Sequence, residues 1–436
     1  MTAPIRAGAS RRGGAATLAA LLRSRRFAPL FWCQFFSAFN DNFVRNMLAM
    51  LILFRLGESE AGALITVAIG VFMLPSQLLS GLGGELADSG DKARLARRLK
   101  GAEILVQSVA AIGLWLASAP LLFAALFGLG VVNALFGPLK YAILPDFLKS
   151  DELVGGNALV EAATFAAIFL GLIAGGLSAA RAPEGVMAQL MLIALICWAF
   201  SLFIPATGRA DPELRLNANV LASTGALLRE IARDNQLLRR AASVSWFWMA
   251  GAVALSLTPV VLRNKTGAGI AVETAVSAIF AIGVGIGSIA AALLAKGRIL
   301  LRPVPLAAVG MGLFLIDLGV STAPLPLVHG EIGLGAFFTS ITGLRAGLDV
   351  LGLACAGGLF VVPLFTAIQA DAPAARRARI VGGVNVLNSL FMVVGVAATA
   401  LLQSKLVGLS ESALLAALGV LTLGCAIYVH QGAARL

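Results

Sequence analysis

Residues Ser37 to Asn46 read Ser-Ala-Phe-Asn-Asp-Asn-Phe-Val-Arg-Asn inside a stretch that is otherwise apolar. At about 1.5 Å rise per residue this polar island lies roughly 15 Å from the near end of its helix. Ionised side chains at such depth in a bilayer are costly unless they face an aqueous cavity or an opposite charge. Asp41 and Arg45 are four apart and share a helical face, so they suit an internal ion pair. Asn40, Asn42 and Asn46 place amides on other faces, which suits a cavity that binds a polar solute. The residue types allow both.

A second group follows Gly137-Pro138, where Lys140 precedes Tyr141 near the inner end of an apolar run. Glu161 sits about one turn into the next run at comparable depth. The ammonium therefore either pairs with Glu161 or snorkels along its stem to the interface. Asp317, and Arg345 with Asp349, fall near the opposite side and suit pairing or interfacial solvation. Glu58 and Glu60 are expected in an outer loop.

Other chemistries lack their residues. His329 and His430 are the two histidines, and Cys33, Cys197, Cys355 and Cys425 all sit in apolar runs, where a thiol packs as a small apolar group. No spacing suits a metal, and no nucleophile stands beside a base, so neither a cofactor nor an enzymatic activity is expected. Gly283, Gly285 and Gly287 imitate a dinucleotide fingerprint, but no strand precedes them. Close helix packing accounts for them, as it does for Gly171, Gly175 and Gly176.

The elements that must hold these groups follow from composition. The chain has 436 residues, is 59% hydrophobic and 13% charged, and has a mean hydropathy of +0.92. Soluble domains carry about a quarter charged residues, so the expectation is an all-α membrane protein. The net charge of +11 does not indicate nucleic acid, because the bases form short clusters between apolar runs rather than one continuous surface. Windows of about 20 residues place helices near 29–54, 62–83, 101–119, 121–145, 157–180 and 186–206, and again near 240–262, 271–295, 301–320, 346–369, 380–404 and 411–430. This is twelve transmembrane helices in two six-helix bundles, 29–206 and 240–430.

Residues 1–28 read as a basic cytoplasmic arm bearing Arg6, Arg11, Arg12, Arg23, Arg25 and Arg26; Leu18 to Arg26 is either a short amphipathic surface helix or disordered. Residues 207–239 read as a cytoplasmic linker, too charged for hydrocarbon, and 431–436 as a cytoplasmic tail. Most Lys and Arg then fall on the side of both termini, as the positive-inside rule requires. An internal repeat supports two halves: Val131-Val132, Phe136, Pro145 and Val154 to Asn157 are echoed by Val361-Val362, Phe365, Pro373 and Val381 to Gly383 with Asn385. Residues 320–345 are expected as an outer loop, with a re-entrant or extended start to the tenth helix.

Phe136 to Pro145, followed by Leu153 to Ala162, resembles the fourth and fifth helices of the lysophospholipid transporter family of the major facilitator superfamily. Ser37 to Asn42 and Gly357 to Leu364 are similar to the first and tenth. Gly84 to Lys92 resembles the superfamily's loop signature, except that Ser89 stands where a base is usual and the bases begin at Lys92 and Arg94. The resemblance implies the major facilitator superfamily fold in the bacterial inner membrane. Its activity would be a flippase moving lysophospholipids, chiefly lysophosphatidylethanolamine, from the outer to the inner leaflet. It also implies a partner, an acyltransferase/acyl carrier protein synthetase, expected as a separate protein. It makes Asp88 a gate that pairs with bases and a helix end in one conformation. Asp41 or Glu161 would then face the substrate amine and Lys140 or Arg45 its phosphate, with Asn40, Asn42, Tyr141, Asn157 and Asn385 completing the site. The competing expectation is a proton-coupled exporter of small amphipathic compounds, with Asp41 or Glu161 titrating.

Overall fold

The computed structural model describes residues 14–56, 58–179, 182–217 and 219–433, so Arg6, Arg11 and Arg12 of the basic arm lie outside the described residues. A short helix, α1 (Gly14–Arg23), precedes α2 (Ala28–Leu56), α3 (Glu58–Ser89), α4 (Lys92–Trp115) and α5 (Ala119–Ala142). The four-residue α6 (Leu144–Phe147) leads into α7 (Leu153–Ala179) and α8 (Pro183–Leu202). After an irregular stretch come α9 (Val220–Arg233), α10 (Asn235–Thr266), α11 (Ile270–Ala295) and α12 (Val304–Thr322). A short α13 (Leu334–Thr339) introduces α14 (Ile341–Asp371), and α15 (Arg377–Gln403) and α16 (Glu411–Ala433) complete the chain.

Among the described residues nine helices are long and apolar enough to cross a membrane by length and composition: α5, α7, α8, α10, α11, α12, α14, α15 and α16. α2, α3 and α4 match them in length, at 29, 32 and 24 residues. Helix ends carry the expected stop and start chemistry. The Asp91 side chain caps α4, Asp234 caps α10 and Ser340 caps α14, each accepting from backbone N–H groups of the first turn. Gly267 ends α10 at φ +71, a conformation open to glycine at little cost.

The first six long helices pack mainly through α2 on α7 and α4 between α5 and α8; the second six through α12 on α16 and α11 on α14. Small residues set the closest approaches. A Cβ on Gly171 or Gly175 of α7 would lie 2.4 Å from the carbonyl oxygens of Phe39 and Phe43 on α2. One on Gly287 would lie 1.9 Å from the Cys355 carbonyl, so the glycine-rich run of α11 is a packing face against α14.

Arg239, at the start of α10, lies 5.2 Å from the ring centre of Tyr428 near the end of α16, and Leu18 of α1 packs on Gly155 of α7. Arg240 bonds to Asp371 at the end of α14 and Gln369 of that same turn to Asn157 near the start of α7, so both described ends of the chain share one side of the bundle, the terminal side.

Several boundaries differ from the hydropathy windows, because charges near them are paired inside the protein or because an apolar face packs on a neighbouring helix. α4 begins at Lys92, not near 101, and buries Lys92 and Lys100. α3 runs to Ser89, so Asp88 lies in a last helical turn rather than a loop, and Glu58 and Glu60 lie in its first turn. The linker contains α9, whose Ser223, Thr224, Leu227 and Ile231 are buried at helical spacing against α3 and α15. α1 is helical, with Leu18 and Leu21 buried on α7 and α2. Within 320–345, α12 continues to Thr322 and α14 starts at Ile341.

Candidate functional site

Between the halves lies a cavity of about 220 Å³, walled by α3, α5 and α7 from one side and α10, α14 and α15 from the other. Its polar groups are concentrated on α5 and α7: Asn133, Lys140, Tyr141, Asn157 and Glu161. Asn385, Asn388 and Ser389 of α15 face them across the space. Apart from Ser76 and Ser80 of α3 the remaining wall is apolar, with Phe72, Met73, Trp248, Phe365 and Met392 prominent.

The Tyr141 hydroxyl donates to Glu161 Oε2 at 3.1 Å, while Glu161 Oε1 has no protein partner. Lys140 Nζ lies 5.0 Å from the Tyr141 ring centre and forms no ion pair with Glu161 among the described residues. The cavity thus holds one ammonium and one carboxylate that are not spent on each other. A smaller, mostly polar pocket adjoins it, lined by Gln34, Ser37, Asp41 and Phe136 together with Asn133, Gly137 and Lys140, which line both. The Asn133 amide donates to the Asp41 carboxylate, so Asp41 backs the cavity wall.

On the terminal side the two halves are locked. Asp88, at the end of α3, accepts from the backbone N–H groups of Ala378 and Arg379 at 3.1 and 3.0 Å and from Arg379 Nε at 3.2 Å. A carboxylate at the start of α15 also meets the positive end of that helix dipole. Arg379 continues to Asp211 at 2.7 Å. Asp146 accepts from Lys92 at 2.9 Å and from Arg377 at 3.4 Å, and Asn157 and Gln369 exchange bonds at 2.7 and 2.9 Å. Nearby, burial pushes the Asp91 carboxyl up, but backbone N–H bonds from Arg94, Gly208 and Thr207 outweigh it and hold the group below the usual carboxylate range. Every polar contact between the two bundles among these described residues lies on the terminal side of the cavity.

A family model described as Major Facilitator Superfamily matches residues 30–396. The lysophospholipid transporter LplT of Yersinia pestis (strain Pestoides F) is 30% identical over 356 residues, which is 80% of this chain and 79% of that one. The chain belongs to the lysophospholipid transporter family of the major facilitator superfamily. Two solved structures show the same fold. The human organic anion transporter MFSD10 (TETRAN) superposes with a TM-score of 0.74 at 16% identity, covering 93% of this chain and 99% of that one. The superfamily transporter FucP in the outward conformation gives 0.69 at 11%, covering 93% and 98%. The protein is a multi-pass membrane transporter and not an enzyme.

In this superfamily member the polar island on α2 divides among three environments. Asp41 reaches the small pocket, whereas Asn40, Asn42 and Arg45 line neither cavity. Asn40 donates to Glu103 at 2.7 Å; Asn42 donates to the Ala38 carbonyl at 2.8 Å and accepts from Arg45. The Arg45 guanidinium packs 5.5 Å from the Phe72 ring centre instead of pairing with Asp41, because Asn42 and Asn133 supply nearer partners to each. Among the expected gating residues Arg94 is exposed, and its backbone N–H serves only the α4 cap.

The hydropathy windows pass over the Lys100 and Glu103 pair. Both are fully buried, 2.6 Å apart, with Lys100 also 2.5 Å from Ser37 Oγ. The available signal is spacing: Lys100, Glu103 and Gln107 recur on one face of α4.

Replacing Asp88 by Asn removes the charge from three accepted bonds, each charge-assisted bond being worth about 1.5–3 kcal/mol. The terminal-side closure is expected to weaken about tenfold or more. A cysteine placed at Ser389 in a cysteine-free background should then label faster from that side in Asp88→Asn; unchanged labelling would show that the contact does not hold the closure.

Proposed function

We propose that this transporter moves lysophospholipids, chiefly lysophosphatidylethanolamine, from the outer to the inner leaflet of the bacterial inner membrane by alternating access. The terminal side is cytoplasmic in this reading, which agrees with the placement of most basic residues there. A separate acyltransferase/acyl carrier protein synthetase would consume the delivered lipid.

The observation that carries the proposal is the presence of an ammonium, Lys140, and a carboxylate, Glu161, with one oxygen free, not ion-paired with each other, in a cavity whose other walls are largely apolar. A lysolipid head presents a phosphate and an amine, and its single chain needs apolar contact. Lys140 would meet the phosphate and Glu161 the amine, with Asn157 and Asn385 as hydrogen-bonding side chains. Asp88, Lys92, Arg377 and Arg379 would part as the cavity opens toward the cytoplasm.

The test is initial uptake into proteoliposomes of labelled lysophosphatidylethanolamine, lysophosphatidylglycerol and a cationic amphiphile without phosphate, with and without an imposed pH gradient. Uptake of the first without a gradient is the expected result. Uptake that follows the pH gradient and accepts the phosphate-free cation would replace this reading with a proton-coupled exporter.

A further inference from the structure

The far side of the second bundle carries a charged cluster that the central cavity does not use. Arg345 on α14 makes a two-point bond to Asp317 on α12, with Nε 2.8 Å from Oδ2 and Nη2 on Oδ1. The Asp349 carboxyl, one turn further along α14, lies beside this pair. Asp349 is 4% exposed and its Oδ2 has no protein partner.

The cluster sits on the outside of the bundle. Asp317 shares a face of α12 with Leu306, Leu313 and Val320, which are 73, 55 and 57% exposed. Arg345 shares a face of α14 with Ile341 and Leu348, which are 87 and 56% exposed. At about 100° per residue Arg345 points roughly opposite to the cavity-lining Val361 and Phe365. Exposed apolar faces on membrane-spanning helices face lipid. Asp317 is five residues from the end of α12 and Arg345 four from the start of α14, or about 6–8 Å from those ends. That is the depth of lipid head groups on the far side, with the apolar stripe of α12 running inward beneath it.

Asp317 is spent on Arg345, which leaves the Asp349 Oδ2 beside it a buried polar atom without a partner, in a setting where that is costly. The missing partner is a hydrogen-bond donor. Arg345 is half exposed and its Nη1 has no protein acceptor among the described residues, which leaves a donor free for an anion. We propose that this cluster binds the head group of a bilayer phosphatidylethanolamine, its ammonium donating to Asp349 and Asp317 and its phosphate accepting from Arg345, with an acyl chain along Leu313 and Leu306. The site lies outside the cavity and does not depend on which substrate the cavity carries.

The test is native mass spectrometry of the purified full chain titrated with chain-matched phosphatidylethanolamine, phosphatidylcholine and phosphatidylglycerol. The ethanolamine lipid is expected to be retained at least fivefold better than the choline lipid, whose quaternary amine donates no hydrogen bond, and better than the glycerol lipid, which has no cation. Asp349→Asn and Arg345→Gln should each remove that preference. Equal retention of the three lipids by the unmutated protein overturns the proposal regardless of how the variants fold. So does a preference that both variants keep, or a dimer through this face that both variants dissolve.

Discussion

Replacing Lys100 by Met is expected to destabilise the protein by about 3–5 kcal/mol, the usual cost of leaving one half of a buried ion pair behind. Lys100 Nζ meets Glu103 at 2.6 Å and Ser37 at 2.5 Å and lies 4.2 Å from the Phe136 ring centre, and neither charged side chain is exposed. Glu103 would keep one bond, from Asn40, and lose its cation. The double variant Lys100→Met/Glu103→Gln removes both charges together and is expected to recover most of the loss, since the pair's desolvation cost disappears with it. Thermal unfolding midpoints in one detergent distinguish these cases. A single variant as stable as the parent would mean that the pair is solvated, contrary to its burial.

That pair also explains what hydropathy can and cannot read. Among the described residues apolar windows fall on each of the twelve long helices, nine of which qualify as spans by length and composition, because a span needs about 20 apolar residues whatever it packs against. They misplace the start of α4 because a window treats Lys92 and Lys100 as markers of water, whereas both have partners inside the protein, at Asp146 and Glu103. The same bias hides α9. Its Arg229, Glu230 and Arg233 mark it as solvent, while Leu227 and Ile231, at the helical spacing of four, pack on Gly383 of α15.

The cavity was legible in residue type more than in direction. Neighbours on a helix point about 100° apart, so a run such as Asn40, Asp41 and Asn42 cannot all face one space. Asp41 turns toward α5, Asn40 toward α4, and Asn42 back onto its own helix. Choosing among these faces requires knowing which helix lies beside each, and that follows from packing between distant segments. The same holds for Trp248, Asn388 and Gln369, which reach the cavity or its terminal-side closure from the second half.

The direction of these side chains makes a sharp contrast available in transport. Lys140→Ala and Asp41→Ala are each expected to lower initial uptake of labelled lysophosphatidylethanolamine into proteoliposomes by more than tenfold. Lys140 loses a charge-assisted bond worth about 1.5–3 kcal/mol, and Asp41 loses the anchor that sets Asn133 in the shared wall. Glu161→Gln should reduce uptake of the ethanolamine lipid more than that of lysophosphatidylglycerol, since the latter has no amine for the carboxylate to meet. Arg45→Gln is expected to stay within about twofold of the parent, because Arg45 is held by Asn42 and Phe72 behind the wall. Monodisperse elution of each variant separates loss of function from loss of folding. If Arg45→Gln abolishes uptake while Lys140→Ala leaves it intact, the head group binds on the α2 side of that wall and the cavity assignment fails.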